Sequence, residues 1–188
     1  MAYAFADVLY KNQDNIGGIP MVVYFAEHSD ILTFPVLADF ASVTTLPSNA
    51  LLTGDFTMKT GKKFFKIELT EGKGSLTTKG VGEKGGRSVK PELKINIDGL
   101  TEEISGLNRL MQNGRFVFLI PNLNKKDNFE VIGHNPYMPA ILKESELSTG
   151  EGTEGKRGAS FTFEANDITQ AFMDITAVEL AALTVPAT

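Results

Sequence analysis

The pattern of apolar and polar positions turns on residues 101–121. Ile104, Leu107, Leu110 and Met111 fall on one face of a helix, and Glu103, Asn108 and Gln112 point to the opposite side. A stripe this narrow suits a helix lying against a sheet. Both ends are written in. Thr101 is placed to cap the free N–H groups of the first turn, Glu102 and Glu103 sit at its positive end and Arg109 at its negative end, and Asn113-Gly114 offers a left-handed exit. The run Phe116-Val117-Phe118-Leu119-Ile120 follows directly. Five consecutive apolar residues in a strand require cover on both faces, so this strand is expected to be central.

Around that pair the chain reads as strands. Met21 to Ala26 is the first, followed by a turn at Glu27-His28-Ser29-Asp30 and a long irregular connection from Ile31 to Asn49. Leu52, Phe56 and Met58 share a face opposite Thr53, Asp55 and Thr57. After a Thr60-Gly61 turn, Phe65, Ile67 and Leu69 alternate with Phe64, Lys66 and Glu68, which predicts an antiparallel hairpin over 52–69. Residues 71–87 read as an extended, mobile hairpin arm that returns through Leu93, Ile95 and Ile97. Beyond the central strand, strands are expected at Phe129 to Ile132, Met138 to Leu142 and Gly158 to Ala165, with a mobile polar loop at 144–157. The segment 166–188 can be read as strand or helix, and the strand reading is preferred at 172–176. Residues 1–20 form an arm across the surface. The whole is one mainly β domain, a β-sandwich or barrel with one flanking helix at about 101–113.

Composition narrows the chemistry. The chain has 188 residues and no cysteine, which removes disulfides, thiolate catalysis and cysteine zinc sites. Its first seven residues have neither a basic stretch nor a sustained apolar core, and no apolar run nears the roughly 20 residues that span a bilayer, so a soluble protein without a signal peptide is expected. Charge is unevenly spread. Lys59 to Lys94 holds ten basic and four acidic residues, a net of +6, and the remainder carries −11. Such a division favours a partner of opposite sign, most simply another copy of the same chain, although lysines that merely solubilise long hairpins explain the segment as well. The candidate interface residues are Lys73, Lys79, Lys84, Arg87 and Lys90 on the basic side, and Glu151 and Glu154 on the polar loop.

No catalytic, cofactor or metal constellation emerges. Gly80-Val81-Gly82-Glu83-Lys84-Gly85 has dinucleotide-loop spacing, but a strand-like segment broken by Pro91 follows where a helix is needed. Gly150 to Lys156 imitates a phosphate-binding loop, yet Arg157 replaces the hydroxyl that would hold magnesium and two glutamates would repel phosphate. His28 and His134 read as solvated loop residues. The aromatics of the basic segment, Phe64 and Phe65, belong to the core alternation rather than to a base-stacking platform.

The strand series, the capped mid-chain helix, the Gly/Lys hairpin arm and the second loop before a Phe-rich strand together resemble the tail-tube proteins of tailed bacteriophages. The likeness is carried by Thr60-Gly61-Lys62-Lys63-Phe64, by Arg115 to Gly133 and by Lys156 to Phe163, within residues 50 to 176. The resemblance implies a non-enzymatic virion protein made in a bacterial host. Its copies would form six-membered rings that stack into a channel for the genome, touching DNA transiently and other tail proteins. Tube proteins of contractile injection systems share the architecture, and a capsid-decorating or other β-sandwich binding module is the competing class.

Overall fold

The computed structural model describes residues 6–8, 16–40, 42–151 and 155–187. In chain order its strands are β1 (Val22–Glu27), β2 (Ile31–Thr33), β3 (Val36–Leu37), β4 (Leu52–Thr53), β5 (Thr57–Met58), β6 (Phe65–Glu68), β7 (Ser75–Val81) and β8 (Ser88–Asp98). Helix α1 (Glu102–Met111) precedes β9 (Arg115–Pro121), β10 (Asn128–Ile132), β11 (Ala140–Ser148), β12 (Gly158–Glu164), β13 (Ala171–Asp174) and helix α2 (Ala177–Thr184).

The expected central strand is β9. Residues 116–120 are at most 5% exposed, because each face meets its own core. Phe116, Phe118 and Ile120 point into a first core with Val23, Leu93, Ile95, Phe161 and Phe163. Val117 and Leu119 point the other way, into a second core with Phe56, Phe64, Phe129, Val131, Met173 and Ile175. Rings interlock in the first core, with Phe118 4.6 Å from Phe163 and Phe116 edge-on to it at 6.0 Å.

The edges of β9 explain the architecture. One edge pairs antiparallel with β1, from Tyr24 opposite Leu119 to Glu27 opposite Phe116, and β1 in turn pairs with β6. Two strands share the other edge: β10 takes residues 118–121 and β11 takes Arg115 and Phe116. The sheet therefore forks. One branch continues from β10 to β13 and the other runs β11–β12–β8–β7. The longer branch curls back, since Thr70 after β6 donates its N–H to Asn96 O at 2.9 Å and accepts from the Asp98 N–H at 2.8 Å in β8. Helix α1 lies against the first core through Ile104 and Leu107, with Met111 fully buried, while the short strands β2–β5 and α2 cover the second.

Several expectations are corrected by the packing. Residues 52–69 do not form a hairpin: the turn at 60–61 is present, but β5 pairs with β2 and β6 with β1. Phe64 is buried in the second core and Phe65 is 46% exposed, because the chain crosses from one core to the other at this point. The polar loop expected from 144 is strand as far as Ser148. Leu142 and Leu147 lie an odd number of residues apart, and strict alternation would put them on opposite faces. A bulge at Lys143 adds one residue and turns both leucines to the core. The arm at 71–87 is a paired strand from Ser75 to Val81, anchored by Leu76 on the first core, so only its tip projects. Leu110 is 76% exposed, although its spacing put it on the buried stripe. Gly114 does not adopt a positive φ; it is small because a Cβ there would overlap the Phe116 ring. The tail is both strand and helix. Thr176 and Glu179 cap α2 reciprocally, Glu179 N donating to Thr176 Oγ1 at 3.3 Å and Thr176 N to Glu179 Oε2 at 2.7 Å. Of the expected arm, Ile19 packs on the first core, whereas 1–5 and 9–15 lie outside the described residues.

The fork depends on Gly133, between β10 and β11. Its φ is +75°, and a Cβ there would sit 2.5 Å from Phe116 O and 2.6 Å from Ala140 N, both backbone atoms that cannot move aside. Gly133→Ala is therefore expected to lower unfolding stability by about 2 kcal/mol or more, read as a urea midpoint shift. Gly61→Ala, at φ +77° with open space around it, carries only the conformational cost of about 1 kcal/mol and serves as the comparison.

Candidate functional site

Strands β7, β8, β12 and β11 turn one polar face outward. Register places Lys79 opposite Lys90, Thr77 opposite Glu92, and Glu92 opposite Glu164 on this face. Like charges directly across a sheet repel, and the structure resolves each clash with a cation or anion from a neighbouring strand. Lys90 Nζ lies 2.9 Å from Glu164 Oε1. The bulge that reorients Leu142 also brings Lys143 outward, 2.6 Å from Glu92 Oε2 and 3.8 Å from Glu164 Oε2. Charges alternate along this row as Lys90, Glu164, Lys143, Glu92. The hydrogen bond from Lys143 holds the Glu92 carboxyl below its ordinary range, and the same bond raises the Lys143 ammonium.

The residues singled out from sequence divide accordingly. Lys73 is tied to Asp98 at 3.3 Å and Lys90 to Glu164, so both are neutralised within the subunit. Lys79 lies exposed on β7, and Lys84 and Arg87 lie exposed on the 82–87 turn; among the described residues none of the three has an ion-pair partner within 4.0 Å. Glu151 is exposed, and Glu154 lies outside the described residues. Among the described residues strand β7 pairs only with β8, and no other described strand pairs with its outer edge. At β13 Ala50 accepts from Phe172 N at 2.8 Å, and the segment before β6 is bonded to Leu183 and Ala187. The turn glycines Gly82 and Gly85 have φ of +90° and +101°, and strand β8 follows them, so this glycine pattern builds a hairpin tip and no phosphate cradle.

His134 corrects a reading made from sequence, since it is not solvated but only 4% exposed. It follows Gly133 at the fork and is covered where 166–169 crosses Val89. Val89 and Asp167 exchange backbone hydrogen bonds of 2.8 and 2.9 Å. His134 Nδ1 lies 3.1 Å from Asp167 Oδ2, but off the line that a hydrogen bond requires. Asp167 Oδ1 accepts from Ile168 N at 2.7 Å. Burial lowers the His134 pKa, against the pull of Asp167, and burial raises that of Asp167, against the pull of His134. Both groups are thus biased toward their neutral forms. His28 stacks on Phe34 at 4.6 Å and its Nε2 meets Asn135 O at 3.2 Å, which is a structural use of the ring. Among the described residues no three His, Asp or Glu side chains group to hold a metal, and no helix is long and apolar enough to cross a membrane.

No family model, curated protein or solved structure matches the chain.

The histidine pair has a signature in pH. Because burial holds His134 below its ordinary 6.5, the unfolded chain takes up a proton there first, and this residue subtracts stability as pH falls below about 6.5, by at most about 1.4 kcal/mol per pH unit. Asp167, raised by burial, acts with opposite sign, the folded carboxyl binding its proton before the unfolded one. The stability penalty of His134→Gln, from urea unfolding, should therefore shrink between pH 7.5 and 5.5. A penalty that grows over this interval would mean that the pair is an ion pair.

Proposed function

We propose that this protein is a structural subunit that assembles with copies of itself, in the manner of a bacteriophage tail tube, into rings that stack into a channel for the genome. The observation that carries this reading is the β7–β8 hairpin. It combines a strand edge left unpaired among the described residues with three exposed cations, Lys79, Lys84 and Arg87, that none of the described carboxylates approaches within 4.0 Å, on a molecule whose net charge is −5. An uncovered edge is a template for pairing with another chain, and natural sheets normally blunt one that stays in solvent. The cations would set the register and rate of docking on acidic surface of a neighbour. They would add little to its final strength, because exposed ion pairs are worth about 0–1 kcal/mol and are screened beyond about 8 Å at physiological salt. The resemblance over residues 50 to 176 and the mainly β architecture support the same reading. A subunit of a contractile injection tube would use the same surfaces.

Light scattering coupled to size exclusion, with negative-stain microscopy, tests it. Rings or tubes are expected for the natural sequence. Reversing Lys79, Lys84 and Arg87 to Glu should slow assembly by about ten- to a hundredfold at low salt while leaving the melting temperature nearly unchanged. A compact monomer at high concentration and low salt would instead make the protein a binding module, and normal assembly of the reversed variant would remove the hairpin's charge from the account.

A further inference from the structure

We propose that the cleft between α2, β5 and β13 receives the side chains of Lys84 and Arg87 from the β7–β8 hairpin of a second copy of this chain. The cleft encloses about 370 Å³ and is walled by Met58, Met173, Ile175 and Leu183, with Asp55 and Glu179 also in its lining. Two carboxylates thus line it and no cation does. Asp55 is exposed and, among the described residues, has no ion-pair partner within 4.0 Å; the lysines nearest to it in sequence are turned elsewhere, Lys59 Nζ to Ser29 O at 2.7 Å and Lys62 Nζ to Asp30 Oδ1 at 2.9 Å. Glu179 is fixed by the capping box, and the Thr176 N–H that its carboxylate accepts holds that carboxyl below its ordinary range. Apolar walls beside a pair of carboxylates fit a lysine or arginine, whose methylene stem lies on apolar surface while its charged head reaches an anion. The two methionines can adapt to the shape of such a stem.

The matching cations are on the chain itself. The turn 82–87 consists of Gly82, Glu83, Lys84, Gly85, Gly86 and Arg87, so the two cations are the long apolar-stemmed side chains that it can insert. Both are exposed, and among the described residues neither has a carboxylate within 4.0 Å, so the turn does not fill the cleft of the subunit that bears it. The hairpin ends the longer branch, which is built on the first core, whereas the cleft opens on the second core through Met58, Met173 and Ile175. Donor and acceptor are therefore different surfaces. Their contact is head-to-tail, the kind that closes a ring or propagates along an axis. This deepens the assembly reading and rests on it, because it names the acidic surface on which the hairpin docks.

Charge exchange in full-length chains tests it. Asp55→Lys and the double variant Lys84→Glu/Arg87→Glu should each slow assembly about tenfold at low salt. All three residues are exposed, so both variants should keep the circular dichroism and melting temperature of the natural chain. Placing the three changes in one chain sets the new lysine opposite the new glutamates and should restore most of the lost rate. Glu103→Lys, the same change of charge on the exposed side of α1, should leave the rate within about twofold. A combined chain as slow as its parents, or an Asp55→Lys chain no slower than Glu103→Lys, overturns the proposal. The natural sequence has no cysteine, so the contact can also be read directly by mild oxidation of mixed Asp55→Cys and Lys84→Cys chains. Disulfide-linked pairs of unlike chains should far exceed pairs of like chains, and a random distribution counts against the cleft. Assembly lost on reversing Lys79, Lys84 and Arg87 yet unchanged by Asp55→Lys would leave the wider reading standing and remove this contact, whereas natural protein that stays monomeric would remove both.

Discussion

A strand of five consecutive large apolar side chains can be buried only if something packs against each of its faces, and β9 meets that demand with two separate cores. Burying each of residues 116–120 is worth about 1.5–3 kcal/mol, so together they match the roughly 5–15 kcal/mol of net stability of a typical domain. Phe118 cannot be covered without β8, β12 and β1, nor Leu119 without β10, β13 and the short strands. The folding of either core therefore presents β9 in the register that the other requires. The helix before it serves the same end, since Met111 is fully buried and Gly114 leaves room for the Phe116 ring.

The fork follows from this. Covering both faces of one strand with a single antiparallel sheet requires the sheet to part, and it does so where β10 and β11 share one edge of β9. Gly133 permits the sharp exit, and the buried His134 and Asp167 fill the crotch. The arrangement leaves the β7–β8 hairpin at the end of the longer branch, with one edge unpaired among the described residues. That candidate contact surface is thus a consequence of how the central strand is covered.

What could be read from sequence was whatever is written locally. The Thr101 N-cap of α1, the two-faced run at 116–120 and the alternation of β8 and β12 depend on nearest neighbours along the chain, and the structure contains them. The capping box of α2 was equally local, in Thr176 and Glu179, and was obscured by the competing strand pattern at 172–176. Pairing is not local: the alternation at 52–69 is real, but nothing in it says that β5 and β6 seek β2 and β1 instead of each other. The bulge at Lys143 hid half a strand by breaking a period of two. Among the site residues, sequence located the basic hairpin, yet it could not tell that Lys73 and Lys90 are neutralised at home, because Asp98 and Glu164 reach them only through the fold. The burial of His134 left no sequence signal, and the exposure of Leu110 depends on where the sheet beneath α1 ends.

The claim that β9 joins the two cores into one cooperative unit is tested most directly by native-state hydrogen exchange on Leu119→Ala, which truncates a side chain of the second core alone. The loss of such a buried leucine costs about 2–5 kcal/mol. If β9 joins the cores, the slowest amides of β12 around Phe161 and those of β13 around Met173 should lose the same amount of protection, since neither core can open without the other. Loss confined to β10 and β13, with β8 and β12 unchanged, would show two independently stable halves and contradict the account.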